Sequence, residues 1–146
     1  MLIDISNLIT PEVYEVIYRM GHMDELVIAD ANYSASALSG KVVYSSASEN
    51  HVLLAEILRY FPLDDDAECP ITVMTPDHGY SHEPEIWADY RGVLSNASDS
   101  KKLLLNQVPR SEFYRRTKSA YATIQTTDPR LYADIIVRKG VVVSLK

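Results

Sequence analysis

The sequence predicts a single α/β domain over residues 1–146, a three-layer α/β/α arrangement with a mixed, largely parallel sheet. Three observations carry this expectation. A short apolar run at 26–29 shows no polar alternation, the pattern of a strand covered on both faces, and 71–74 reads as a further buried strand. Segments with helical spacing alternate with those strands, as they do in α/β folds. The chain has 146 residues and is 47% hydrophobic, enough for one real core and too short for two ordinary domains.

Taken in order, Thr10 is a good N-cap and Pro11 suits the first position of a helix on which Val13, Val16, Ile17 and Met20 recur at helical spacing. Gly21 stands where a left-handed C-cap residue belongs. The buried strand at 26–29 then ends on Asp30. Residues 31–40, rich in Ser and Ala and closed by a glycine, read as an irregular loop before a short strand at 42–44. Ser46 and Glu49 resemble a capping box for a helix over 47–60, with Leu53, Leu54, Ile57 and Leu58 as its apolar stripe, Pro62 as its stop, and His51 solvated near its start.

Asp64, Asp65 and Asp66 lack the spaced oxygens and glycine turn of a calcium loop and read as a solvated loop. After the strand at 71–74 comes the polar connection 75–84. His78 and His82 would align as metal ligands on a helix, but Pro76, Gly79 and Pro84 argue against one, so a loop bordering the strand ends is expected. Ile86, Tyr90 and Leu94 mark a helix over 84–95, with Trp87 packing beside them. Leu103, Leu104 and Leu105 read as a fourth buried strand, followed by Arg110 just ahead of a helix carrying Phe113 and Tyr114. Further strands are expected at 121–126, 133–137 and 141–145, the last two forming a hairpin about Arg138, Lys139 and Gly140.

Composition narrows the function. A net charge of −6 with scattered basic residues gives no electrostatic case for nucleic acid, and a neutral ligand suits it better. No run approaches a membrane span and no apolar signal segment opens the chain. The lone Cys69 cannot form an internal disulfide and reads as a small inert residue, so a reducing cytoplasm is the expected home.

Two residues stand out by position. Asp30 follows a buried strand, and the carboxyl edge of an open α/β sheet is where ligands bind. His22 follows the negative end of a helix, with Asp24 and Glu25 nearby, surroundings that favour a protonated ring titrating near neutral pH. The residues alone also allow a surface or C-capping histidine without chemistry.

The stretch Gly21-His22-Met23-Asp24-Glu25, the apolar strand and Asp30-Ala31 resemble the opening of the fucose mutarotase and ribose pyranase family, the RbsD/FucU-like sugar-anomer isomerases. Phe113-Tyr114, Arg116, Lys118, Ala120-Tyr121 and Tyr132-Ala133-Asp134-Ile135-Ile136 with Lys139-Gly140-Val141 resemble its later segments. The resemblance implies an RbsD-like fold and an isomerase of the L-fucose branch, with His22 catalytic and Asp30, Arg110, Tyr132, Ala133 and Asp134 binding the sugar. Where the family has Tyr-x-Asn, this chain has Asp134. An ionised carboxylate only accepts hydrogen bonds, so either one sugar contact changes or this side chain is protonated.

Mutarotation removes a proton from the anomeric hydroxyl and delivers one to the ring oxygen, so acid–base groups suffice and neither cofactor nor metal is expected. The runner-up is a non-catalytic monosaccharide-binding accessory of uptake or regulation, which would not need His22 to exchange protons; ribose pyranase activity is the nearest variant. The resemblance also implies a homo-oligomer, a decamer of stacked pentamers with sites at subunit interfaces. Ten tyrosines against two phenylalanines suit interfaces modestly.

Overall fold

The computed structural model describes residues 2–65, 67, 69–97 and 104–144. Its centre is a six-stranded sheet in the order β2-β5-β1-β6-β3-β4. The strands are β1 (Glu25–Ala29), β2 (Val42–Tyr44), β3 (Ile71–Met74), β4 (Asn106–Val108), β5 (Ala122–Gln125) and β6 (Ile135–Arg138). β1 pairs in parallel with β5, β5 with β2 and β3 with β4, whereas β6 runs antiparallel between β1 and β3. Five strands therefore end at one edge, and β6 begins there.

Helices cover both faces. α1 (Pro11–Arg19), α3 (Asn50–Leu58) and α4 (Glu85–Ala97) pack on one side, where Val13, Leu54, Trp87 and Tyr90 meet Leu26, Ile28, Ile135 and Val137. α2 (Ala35–Leu38) and α5 (Arg110–Ser119) cover the other, where Tyr33, Ala35 and Phe113 meet Val27, Ala29 and Ile136. Adjacent residues of β1 and of β6 thus serve different cores, which is why these strands lack polar alternation.

α1 begins as expected: Thr10 Oγ1 accepts the Val13 N–H at 3.3 Å. Its end differs. Met20 caps it in extended backbone, and the left-handed residue is Met23, at φ 72°, rather than Gly21. The Ser46–Glu49 capping box does not form either, since α3 starts at Asn50 with no side-chain cap from Glu49; the Asn50 N–H goes instead to the buried Asp128 carboxylate at 2.8 Å.

The expected strand at 103–105 is displaced. β4 lies at Asn106–Val108, Leu104 is exposed, and Leu103 lies outside the described residues. Half-exposed Asn106 and Val108 pair beside Thr72 and Met74 as an edge strand, which needs no apolar run. The terminal strand and its hairpin are absent over 141–144, where Val141, Val142 and Val143 are exposed, and Leu145 lies outside the described residues. β6 has β1 and β3 on its two sides, so no edge remains for a hairpin partner.

Asp64 also departs from expectation: it is buried at 3% exposure, and Asp66 lies outside the described residues. A single bridge between Leu63 and Lys139 brings this segment against the end of β6. Gly140 permits the approach, because a Cβ there would stand 2.3 Å from the Leu63 carbonyl oxygen.

Candidate functional site

The carboxyl edge of the sheet opens into a pocket of about 220 Å³. Asp30 enters from the end of β1, Met74 from the end of β3, Arg110 from the first turn of α5, and Asp134 from the residue before β6. Tyr132 and Tyr80 close its mouth, packed edge to face at 4.9 Å between ring centroids. Four of the residues singled out in the sequence, Asp30, Arg110, Tyr132 and Asp134, therefore meet in one place. The volume lies below the roughly 300–1,000 Å³ of drug-sized sites and suits a small ligand.

Local conformation fixes each group. Asp30 Oδ1 accepts the Asn32 N–H at 2.7 Å, and the Asp30 N–H donates to Asp134 Oδ1 at 2.8 Å. Gln125, ending β5, holds the following loop by donating to the Tyr33 carbonyl at 2.7 Å and the Asp30 carbonyl at 3.3 Å. Tyr132 sits in the left-handed region at φ 57°, a cost that a non-glycine residue bears only when its surroundings impose it. They do so at both ends: its carbonyl accepts the Trp87 Nε1–H at 3.2 Å and its hydroxyl accepts the Asp77 N–H at 3.1 Å. Arg110 reaches over the mouth to Asp77 at 2.5 Å, with both side chains about half exposed.

Ala133 lies behind the pocket rather than in its lining. Its side chain is buried, and its carbonyl accepts from Asn50 Nδ2 at 3.0 Å and from the Tyr90 hydroxyl. Asn50 Oδ1 in turn accepts from Thr126, so a buried polar network anchors the segment just ahead of Asp134. Asp128 extends it with hydrogen bonds from the Asn50 and Arg130 backbones and from the Arg130 guanidinium. Burial would raise the Asp128 carboxyl, but these donors outweigh it and hold the group below its ordinary range.

The pocket carboxyls behave oppositely. Burial raises Asp134 well above the ordinary carboxylate range, and the charge of Asp30 adds to it. Asp30 is also raised, again chiefly by burial and against the donors that favour its charged form. Burial likewise lifts the Tyr33 phenol, whose hydroxyl is 2.7 Å from Thr117 Oγ1. Thr117 spends its own proton on the Phe113 carbonyl, so Tyr33 is the donor in that contact.

His22 is not part of this pocket. It precedes β1, whereas Asp30 follows it, so the two stand at opposite edges of the sheet with about 13 Å of strand between them. Its Nε2 is 3.3 Å from Asp64 Oδ1, whose other oxygen lies 3.3 Å from Arg138 Nε. Asp24, expected beside the ring, instead accepts the Gly21 N–H at 2.7 Å.

A larger groove of about 650 Å³ runs between α3 and α4, away from the strand ends. Its charged groups are already engaged, Arg59 with Glu56 and Asp89 with Arg130. His51 is not solvated as expected but sits 3.2 Å from the Arg130 guanidinium. His78 and His82 lie in a non-helical connection, and among the described residues no three His, Cys, Asp or Glu gather as a cation site.

The profile of the RbsD / FucU transport protein family matches residues 3–142. The chain belongs to the RbsD/FucU family. It is 37% identical to a fucose mutarotase of Mus musculus over 93% of this chain and 92% of that one, and 34% identical to an L-fucose mutarotase of Histophilus somni over 97% of each. Its fold superposes with a TM-score of 0.91 on the fucose mutarotase from Streptococcus pneumoniae solved in complex with L-fucose, at 35% identity and covering 97% of this chain and all of that one. RbsD of Bacillus subtilis complexed with D-ribose, at 19% identity and a TM-score of 0.67 over 94% of this chain, shares the fold.

In this RbsD/FucU chain, sequence reasoning missed Tyr33, Met74, Tyr80 and Tyr114 as pocket lining. Tyr33 is findable from position, since it lies three residues past Asp30 in the loop that leaves the carboxyl end of β1, the edge where ligands bind. The Asn50 network is not, because its members come from α3, α4 and the approach to β6 and share no local pattern.

Proposed function

We propose that this protein is a sugar mutarotase, a cofactor-independent isomerase that interconverts the anomers of L-fucose or a similar monosaccharide by ring opening and reclosure. The observation that carries the reading is the meeting of Asp30, Arg110, Tyr132 and Asp134 in one small pocket at the carboxyl edge, in a chain closely similar in fold to a fucose mutarotase complexed with L-fucose. Asp30 and Arg110 hold sugar hydroxyls, and the guanidinium fork steadies charge that develops on oxygen. His22 takes the proton of the anomeric hydroxyl.

Because His22 stands at the far edge of its own chain, this role requires a second copy that presents His22 to the pocket. A ring is the assembly that repeats such a contact, since one patch meets a different patch on the next copy. We therefore read the protein as a cytoplasmic homo-oligomer, a decamer of stacked pentamers, with its sites at subunit interfaces and a neutral monosaccharide as its ligand. The separation of His22 from the pocket also favours a second reading, in which a single chain binds sugar without catalysis as an accessory of uptake or regulation.

Saturation-transfer NMR on the anomeric protons separates the two. Under the mutarotase reading, His22→Ala slows anomer exchange by on the order of 10²-fold or more while affinity persists, because the substitution removes a proton acceptor and few binding groups. A native protein that binds sugar without accelerating exchange would instead support the accessory reading, and accelerated exchange by His22→Ala at the native rate would remove His22 from the mechanism. Sedimentation equilibrium tests the assembly: full activity at the mass of one 16.4 kDa chain rules out the ring and the shared site.

A further inference from the structure

Asp30 and Asp134 line the same pocket at 6% and 4% exposure. The register of β1 with β6, in which Ile28 lies opposite Ile135, brings the two side by side, and the Asp30 N–H donates to Asp134 Oδ1 at 2.8 Å. Their carboxyls also meet in a side-chain hydrogen bond. Two ionised carboxylates have no proton with which to make that bond, so one of the pair is an acid. Among the described residues, no lysine or arginine forms an ion pair with either. Arg110, at the mouth, is turned to Asp77, and Arg130 is committed to Asp128 and Asp89.

Position 134 is where this chain departs from the family's Tyr-x-Asn, and the chemistry of the two side chains says what the proton does. An asparagine here would accept the Asp30 N–H with its oxygen and donate to the Asp30 carboxylate with its nitrogen. A neutral Asp134 makes the same two contacts, with its hydroxyl in place of the amide nitrogen. An ionised Asp134 makes only the first, and it sets a second negative charge against the residue that holds the sugar.

We propose that Asp134 serves this site as a protonated substitute for the amide, so that sugar binding is coupled to one proton shared between Asp134 and Asp30. The proposal deepens the mutarotase reading and rests on its sugar pocket. With the proton in place, the pair presents Asp30 to the sugar as an asparagine would. Once the proton is lost, a neutral sugar has to strip water from two adjoining buried charges, and that desolvation weakens binding unless a proton enters with the sugar. Above the titration of the free pair, binding therefore takes up one proton from solvent. That proton stays on the pair through ring opening and reclosure and returns to solvent when the sugar leaves.

The groups around the pair act in the same direction. Tyr33 from the loop after β1 and Tyr90 from α4 face Asp134 as uncharged phenols, their own titrations pushed up by burial. Asp128, past the end of β5, adds negative potential at Asp30 that Arg130 partly offsets. Tyr80, Tyr114 and Tyr132 stand with Arg110 in the rest of the lining.

The test titrates L-fucose into native protein and Asp134→Asn from mildly acid to alkaline pH. NMR gives the affinity, and calorimetry in two buffers of different ionisation enthalpy counts the protons exchanged. Native affinity should fall as pH rises through the titration of the pair, by up to roughly tenfold per pH unit, with proton uptake approaching one per site. Asp134→Asn, whose amide cannot ionise, should take up no such proton, so its advantage in affinity over the native protein grows with pH. The native protein should show the infrared band of a neutral carboxylic acid, fading over the range where affinity falls, and Asp134→Asn should lack it.

Native binding without proton uptake at any pH, or affinities of the two proteins in a constant ratio across the range, overturns the coupling. Should Asp134→Asn fail to fold, the native proton count and the native infrared band decide it. Saturation transfer on the same samples keeps the two readings apart. A native protein that binds L-fucose with proton uptake yet accelerates no anomer exchange overturns the mutarotase reading and leaves the coupling standing. Accelerated exchange by a native protein whose affinity and proton count follow those of Asp134→Asn at every pH overturns the coupling alone.

Discussion

The two edges of the sheet each bury an aspartate to nearly the same degree, Asp134 at 4% exposure and Asp64 at 3%, and treat it in opposite ways. At the amino edge, Asp64 lies between His22 and Arg138, two groups able to carry positive charge. At the carboxyl edge, Asp134 lies beside a second carboxyl and has no cation partner among the described residues. Burial alone therefore does not set the state of a carboxyl. Its neighbours decide whether the desolvation cost is met by pairing or by keeping the proton.

The amino edge depends on a close backbone approach, and breaking that approach should give the largest loss of stability. Gly140 donates its N–H to the Pro62 carbonyl at 2.7 Å and leaves no room for a Cβ against the Leu63 carbonyl and the Asp64 Cα. Gly140→Ala is expected to destabilise the fold by about 1–3 kcal/mol, because the obstacle is backbone rather than a side chain that can swing aside. By pushing the 62–64 segment outward, it also carries Asp64 away from His22 and Arg138. Denaturant unfolding gives the stability, and the chemical shifts of the His22 ring report the lost contact. Native stability with an unchanged ring signal would show that the approach is not needed.

The same contrast explains what could be read in the sequence. The inner strands β1, β3 and β5 and the pocket positions of Asp30 and Arg110 are legible because apolar runs and strand ends are local signals, whereas Tyr132 and Asp134 enter only through the resemblance to the family. β4 was misplaced because an edge strand of Asn106, Gln107 and Val108 carries no apolar signature while the adjacent leucines do. Asp64 was read as solvated because three acidic residues in a row look like surface, and its partner Arg138 lies far along the chain. The opposite-edge placement of His22 and Asp30 follows from the predicted strand between them, and the resemblance assigns both to one sugar site only across a subunit interface.

Stability against pH sharpens the comparison with a smaller effect and a definite sign. Asp128 is held below its ordinary range, so its contribution is present above the unfolded carboxylate range and is lost as pH falls through its folded titration. Asp134 is raised, so its contribution is present below the unfolded carboxylate range and is lost as pH rises through its folded titration. Asp134→Asn should therefore melt at a temperature that declines less than the native protein's between acid and neutral pH, while the loss toward strongly acid pH remains. Parallel melting curves for the two proteins across that range would place Asp134 among ordinary ionised carboxylates.

The smallest expected effect lies at the pocket mouth, where a charge pair is exposed rather than buried. Arg110 and Asp77 meet at 2.5 Å with side chains 49% and 60% exposed, so their pairing contributes little to stability and is screened by salt. For Arg110 to grip sugar hydroxyls it must first leave Asp77, and the cost of leaving is charged against sugar affinity. Asp77→Asn removes the competing carboxylate yet retains the backbone N–H that Tyr132 uses, so it should tighten sugar binding by roughly two- to fivefold at low ionic strength with almost no change in melting temperature. The gain should shrink as salt is added, because the pair being relieved is already weakened there. NMR titration of L-fucose at low and high salt measures both. Weaker binding by Asp77→Asn at either salt concentration would mean that Asp77 positions Arg110 for the sugar instead of competing with it.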